Sequence, residues 1–100
     1  MKADPLLSKY GISKKEYSKL LRKQKGVCYI CGRPPKTRAL AVDHEHVKGF
    51  KQLSPDDKRR YVRGIVCFQC NWILLSRGIT IEKAKKLVEY LERYQQGKVL

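Results

Sequence analysis

Four cysteines fall in two identical frames, Cys28-Tyr29-Ile30-Cys31 and Cys67-Phe68-Gln69-Cys70, with 35 residues between them. Two residues between thiols let one tight turn aim both sulfurs at a single ion. Two such turns complete the tetrahedral four-thiolate set of a structural zinc site. The gap exceeds the commonest zinc-ribbon spacing, so a segment is inserted between the two knuckles. Disulfides are the competing use, and a reducing compartment argues against them. A thioredoxin-like redox pair would need a βαβ context that the chain lacks.

That inserted segment carries Val42-Asp43-His44-Glu45-His46, which holds both histidines of the chain, and Asn71 directly follows the last cysteine. The Asp43 carboxylate and the Asn71 side-chain carbonyl are hard oxygen donors. Mg²⁺ takes few such ligands from protein and keeps places for water and phosphate. Imidazole titrates nearest neutrality, so His44 is suited to take a proton from water. A divalent ion beside it would stabilise the scissile phosphate and the leaving oxygen of a phosphodiester. Plainer uses stay open at this point. The Asp-His pair can be structural, Asn71 can cap the helix that it starts, and His44 and His46 can join two cysteines in a mixed zinc site.

These groups need elements to position them. Ser13-Lys14-Lys15-Glu16 reads as a capping box, and Tyr17, Leu20 and Leu21 follow at helical spacing, which predicts a helix over 14–25 that stops near Gly26. Its other face is dense in lysine and arginine. Leu40-Ala41-Val42 leads a strand over 39–44. Strand side chains alternate, so Asp43 and His44 border one cavity only if the strand twists or ends there. Residues 48–60 read as a polar loop with one helical turn at Ser54-Pro55-Asp56-Asp57. Residues 61–66 read as a second strand. Residues 71–76 read as a short buried helix ending near Gly78. Thr80 caps a last helix whose stripe of Ile81, Ala84, Leu87, Val88 and Leu91 reads as core.

One hundred residues point to one domain, spanning 1–100. The apolar share of 42% is too high for compositional disorder. No run approaches the roughly 18 apolar residues of a membrane span, and the first residues lack a signal-peptide apolar region. The expected setting is therefore the cytoplasm. Twenty-three basic residues against nine acidic give a net charge of +14. Four thiolates around one Zn²⁺ carry −2 and lower this only to +12. Such a surface calls for a polyanion, with nucleic acid ahead of a membrane.

The order CxxC, then Val42-Asp43-His44-Glu45-His46, then Arg63-Gly64 and Cys67-Cys70-Asn71, resembles the recombination endonuclease VII family of HNH (ββα-metal, or His-Me finger) nucleases over about Tyr10 to Tyr94. The resemblance implies a small α+β zinc-stabilised ββα-metal domain with flanking helices. It implies structural zinc on Cys28, Cys31, Cys67 and Cys70, and catalytic Mg²⁺ or Mn²⁺ on Asp43 and Asn71. It gives His44 as general base, His46 as a further active-site histidine and Arg63 as a phosphate contact, where a surface arginine is the alternative. It also implies DNA as substrate, a 5′-phosphate product and a phage or bacterial setting. Two departures stand out. Lys48 to Tyr61 replaces a short turn, which predicts an extra DNA contact or altered access to the site. Members that resolve branched DNA are longer and dimerise through extensive helices. With the last helical stripe assigned to the core, the expectation is a monomer or weak homodimer that nicks duplex DNA. Holliday-junction resolution needs a dimer. A non-catalytic zinc module that only binds nucleic acid, and a zinc-stapled interaction protein, are the other readings.

Overall fold

The computed structural model describes residues 4–76 and 78–98. Asp4 caps α1 (Pro5–Tyr10), with Pro5 at its first position and Gly11 ending it at φ 78°. Ser13 caps α2 (Lys14–Lys23), and both halves of the capping box form: the Ser13 hydroxyl accepts from the Glu16 N–H, and the Glu16 carboxylate accepts from the Ser13 N–H. The capping box and the apolar spacing locate α2 to within two residues of its end, whereas α1, a turn and a half long, carries no repeating apolar stripe to announce it.

Two strands form the sheet, β1 (Ala41–His44) antiparallel to β2 (Val62–Val66). The 48–60 segment is more ordered than a loop. A 3₁₀ turn (Phe50–Gln52), the short helix α3 (Pro55–Lys58, capped by Ser54) and a second 3₁₀ turn (Arg59–Tyr61) follow one another. After β2, Cys70–Leu75 form a wide helical turn in which the Ser76 N–H reaches five residues back to the Asn71 carbonyl at 2.8 Å. Such turns recur at functional sites. The last helix, α4, runs Ile81–Gln95 with the Thr80 hydroxyl as its cap.

The core lies where the knuckles meet the sheet. Ile65, Cys28, Val66, Leu40 and Cys70 are buried together, with Tyr17, Leu20 and Leu21 of α2 packed on them. Two polar ties lock α2 to the strands. The Tyr17 hydroxyl donates to the Leu40 carbonyl at 2.6 Å. The Gln24 amide treats β2 as a neighbouring strand would: its Nε2 donates to the Ile65 carbonyl at 2.8 Å and its Oε1 accepts from the Ile65 N–H at 3.0 Å.

Two expectations about the C-terminal third are overturned. Residues 71–76 do not form a buried helix, since Trp72, Ile73 and Leu74 are exposed. Nor is the stripe of α4 core: Ile81, Leu87, Val88 and Leu91 are all exposed, and no residue of the helix is buried. The chain extends 63 × 30 × 21 Å, too elongated for α4 to fold back over the core. Periodicity reports that a helix has an apolar face and not what covers it. The inference of a monomer from a consumed stripe loses its premise.

Candidate active site and four-cysteine centre

The first knuckle closes where the Cys28 N–H donates to the Arg33 carbonyl at 2.9 Å and the Gly32 N–H to the Cys28 carbonyl at 3.0 Å. A bond from the Tyr29 N–H to the Ile65 carbonyl, 3.2 Å, ties this turn to β2, which runs straight into the second knuckle. All four sulfurs lie within 4.8 Å of one another, and Cys31 Sγ is 3.7 Å from Cys67 Sγ. A tetrahedron with Zn–S bonds of about 2.3 Å has edges of about 3.8 Å. The donor set therefore fits one four-coordinate ion. Burial pushes the Cys28 thiol up, but the backbone N–H groups of Cys31, Cys67 and Ile30 outweigh it and hold the group at about 6. Cys70 is pushed up to about 12 by burial and by the sulfurs of Cys67, Cys28 and Cys31. A bound metal would draw protons from the thiols that still carry them.

The sheet carries the acid–histidine motif, and its register supplies the break that the alternation demanded. Asp43 faces Gly64 while His44 faces Val62, so Arg63 is the extra residue of a β-bulge. Bulges of this kind re-aim side chains beside functional sites. The bulged Arg63 turns onto Asp43 and donates through Nε at 2.7 Å and through Nη2 at 3.1 Å, one bond to each carboxylate oxygen. Asp43 is 4% exposed, so this pair is what makes its burial tolerable.

His44 closes β1. Its Nδ1 lies 3.0 Å from the Glu45 carbonyl oxygen. A carbonyl can only accept, so Nδ1 carries the proton and the lone pair of the neutral ring sits on Nε2. The imidazole stacks flat on Phe50, centroids 3.9 Å apart and planes 3° off parallel. The His46 ring lies 5.4 Å from it and Tyr10 6.0 Å. His44, His46, Val47, Gly49, Phe50 and Gln52 line an open cleft of about 410 Å³.

The 48–61 segment is thus a wall of the histidine cleft. Two of its cations are turned inward, while Lys48, Lys51 and Arg60 stay exposed. Lys58 is buried, with Nζ donating to the Ser8 carbonyl of α1 at 2.7 Å and lying 5.8 Å from the Phe50 ring. Arg59 pairs with Glu16 and donates to the Gly11 carbonyl at 3.2 Å. The close approach requires glycine at position 11, where a Cβ would sit 2.1 Å from the Pro55 carbonyl oxygen.

Of the residues singled out by sequence, the four cysteines converge, His44 and His46 share a cleft, and Arg63 binds Asp43. Asn71 is half-buried at the start of its turn, its N–H donating to the Cys67 carbonyl at 3.0 Å. Among the described residues no hydrogen bond links it to Asp43 or His44. Phe50, which stacks on His44 and lines the cleft, is the candidate that sequence reasoning missed. A lone aromatic after Gly49 in a polar stretch was its signal.

A four-cysteine α+β domain with an acid–histidine hairpin between its knuckles is the class that this fold and site define. Residues 4–93 match the family described as recombination endonuclease VII, and the chain belongs to that family. It is 36% identical over 90 residues to the Gene 59 protein of Mycobacterium phage D29, covering 88% of this chain and 48% of that protein. It is 38% identical over 88 residues to the Gene 59 protein of Mycobacterium phage L5, covering 86% and 47%. The chain thus spans about half the length of these curated relatives. No solved structure matches it. Among the described residues, no helix is long and apolar enough to cross a membrane.

Proposed function

We propose that these 100 residues form one metal-dependent endonuclease domain that hydrolyses phosphodiester bonds of duplex DNA by a one-metal HNH mechanism, nicking one strand at a time in the cytoplasm of a phage-infected bacterial cell. The observation that carries the reading is the His44 ring. Its Nδ1 is committed to the Glu45 carbonyl, its plane is held by Phe50, and Nε2 is left as a base at the edge of an open cleft. In this reading His44 Nε2 takes the proton of the attacking water, whose oxygen bonds to phosphorus as the bond to the 3′-oxygen breaks. The phosphate stays as the 5′-phosphate of the downstream fragment, and the upstream fragment departs with its 3′-oxygen, which takes a proton from solvent to become a hydroxyl. His46, beside His44, orients the substrate or assists the base.

The Asp43 carboxylate and the Asn71 side-chain carbonyl would supply oxygen donors of the kind that Mg²⁺ or Mn²⁺ takes. A bound divalent ion would neutralise charge on the scissile phosphate and the leaving oxygen. The Arg63 fork, which now satisfies the Asp43 carboxylate, fits a phosphate equally well. In the DNA complex it passes from one anion to the other. The four cysteines would hold a structural zinc, which would fix the hairpin and Asn71 on one frame. The +14 chain is drawn to the DNA backbone whatever its sequence. Nicking one strand at a time needs a single active site, so a monomer or weak homodimer is sufficient for it.

The Arg63–Asp43 pair also favours a second reading, a zinc-stabilised DNA-binding domain without cleavage, because both Asp43 oxygens are already occupied. Supercoiled plasmid incubated with zinc-loaded protein separates the two. Nicked circles should appear only with Mg²⁺ or Mn²⁺. The His44→Ala variant should lose about 10²–10⁴-fold in rate while keeping zinc and DNA affinity. Binding without cutting in either metal selects the second reading, and nicking at an unchanged rate by the variant overturns the assignment of the base.

A further inference from the structure

The second knuckle carries more exposed aromatic surface than a metal site needs. Phe68 is 48% exposed and Trp72 59% exposed, although each lies within two residues of a zinc-ligand cysteine. Their rings are near-parallel, 10° apart in plane with centroids at 6.3 Å. The Arg38 guanidinium sits 4.5 Å from the Phe68 centroid and continues the stack. The 6.3 Å spacing is wider than a closed stack, so guanidinium, phenyl and indole make a loose, offset column whose two rings stay exposed. Beside it is a groove of about 280 Å³ lined by Arg33, Pro34, Lys36, Arg38 and Phe68, whose wall holds three cations and no acidic residue.

Neither the knuckle nor the cleft of His44 explains this column. Aromatic side chains left in water beside clustered arginine and lysine are the combination by which proteins hold unpaired nucleic acid: bases stack on the rings and phosphates follow the cations. A duplex offers the cations its phosphates but offers the rings no free base face. We propose that Phe68 and Trp72 are a stacking site for an unpaired nucleobase of single-stranded DNA, whose flanking phosphates lie along Arg33, Lys36 and Arg38. The proposal rests on the reading of the domain as a DNA nuclease and refines it. Trp72 directly follows Asn71, so an unpaired base seated there lies next to a residue assigned to cleavage. A duplex with a single-stranded flank or an opened base would be held more firmly than an unbroken one.

The chain contains one tryptophan, so its fluorescence reports this site alone. Zinc-loaded protein carrying His44→Ala, which prevents cleavage during titration, is mixed with an oligothymidylate or with a blunt duplex of equal length. Binding is followed in parallel by anisotropy of a dye on the DNA. Oligothymidylate should quench Trp72 strongly and the duplex should quench it weakly. Phe68→Leu, which keeps an apolar side chain beside Cys67, should weaken oligothymidylate binding about 5- to 150-fold, the range for one lost stacked base. It should leave duplex affinity within about twofold, since phosphate contacts dominate there. Quenching that is equal for both DNAs, or oligothymidylate binding indifferent to Phe68→Leu, overturns the stacking site and leaves the nuclease reading standing. No binding to either DNA sinks both. A silent Trp72 together with self-association of the protein would assign the column to a protein contact and refute its use by DNA.

Discussion

Removing the Arg63 side chain tests the assignment of Asp43 most directly. The Asp43 side chain is 5% exposed and receives two bonds from Arg63, at 2.7 and 3.1 Å. Arg63→Ala leaves that carboxylate buried and uncompensated. Breaking a buried pair in this way costs about 3–5 kcal/mol. Arg63 is itself 40% exposed, so solvent screens part of the loss and about 3 kcal/mol is the working figure. For a domain of this size each kcal/mol moves Tm by about 4–8 °C, so the variant should melt about 12–24 °C lower. A divalent ion that replaces the guanidinium should reverse most of this. Ligand at 100 times its Kd returns about 2.7 kcal/mol. Circular-dichroism melts with and without Mg²⁺ or Mn²⁺ therefore carry the test. The variant should gain far more from the cation than the wild type, whose Asp43 is already partnered. Asp43→Asn combined with Arg63→Ala removes both charges and should be milder than Arg63→Ala alone. If Arg63→Ala melts like wild type, the pair does not hold the hairpin. If it melts low and no divalent cation restores it, Asp43 is not a metal ligand.

Chelation of the metal held by the four cysteines should unfold the protein. Structural zinc is worth about 10–16 kcal/mol in peptides, against a net stability of about 5–15 kcal/mol for a domain, and loss of the far-ultraviolet signal on chelation is the check. Phe50→Leu keeps the apolar volume under His44 and removes the ring stack, worth about 0.5–1.5 kcal/mol. Single-turnover nicking should fall by about 2- to 13-fold with DNA affinity unchanged. The Glu16 carboxyl is held at about 2, below its ordinary 4.5, first by its bond to Arg59 and then by the Ser13 N–H. A depressed carboxylate stabilises the fold above its unfolded pKa, and that contribution is lost as pH falls through its folded one. Acid unfolding of wild type and Glu16→Gln should therefore differ at neutral pH and converge between about pH 4.5 and 2; parallel curves would show that the pair contributes nothing.

How much of this was legible in the sequence depended on the range of the interaction. The zinc knuckles, the α2 capping box and both strands rest on residues that interact with near neighbours, and sequence spacing reports those. The bulge at Arg63 was half legible. Alternation required a break between Asp43 and His44, but nothing in the chain said that the break lay in the opposite strand. The Arg63–Asp43 pair, the Gln24 bridge to Ile65 and the Phe50 stack join residues 20, 41 and 6 positions apart through the fold, and composition says nothing of them. The failure at α4 was of another kind. An apolar stripe is the same sequence signal whether its own domain covers it or not.

The Cys31 and Cys67 sulfurs meet across 36 residues, and the whole acid–histidine hairpin lies in the loop between them. During synthesis the first cysteine pair leaves the ribosome before the hairpin exists. The second pair follows after it, about 2–7 s later at ordinary elongation rates. The metal centre therefore cannot close on a partial hairpin. A nascent chain that already carries Asp43 and His44 still lacks the frame that orders them, and Asn71 emerges only after the last ligand. In the proposed reading, order at the hairpin waits for the second cysteine pair and the capture of one ion, so protein made without that metal would carry Asp43 and His44 without the frame that holds them.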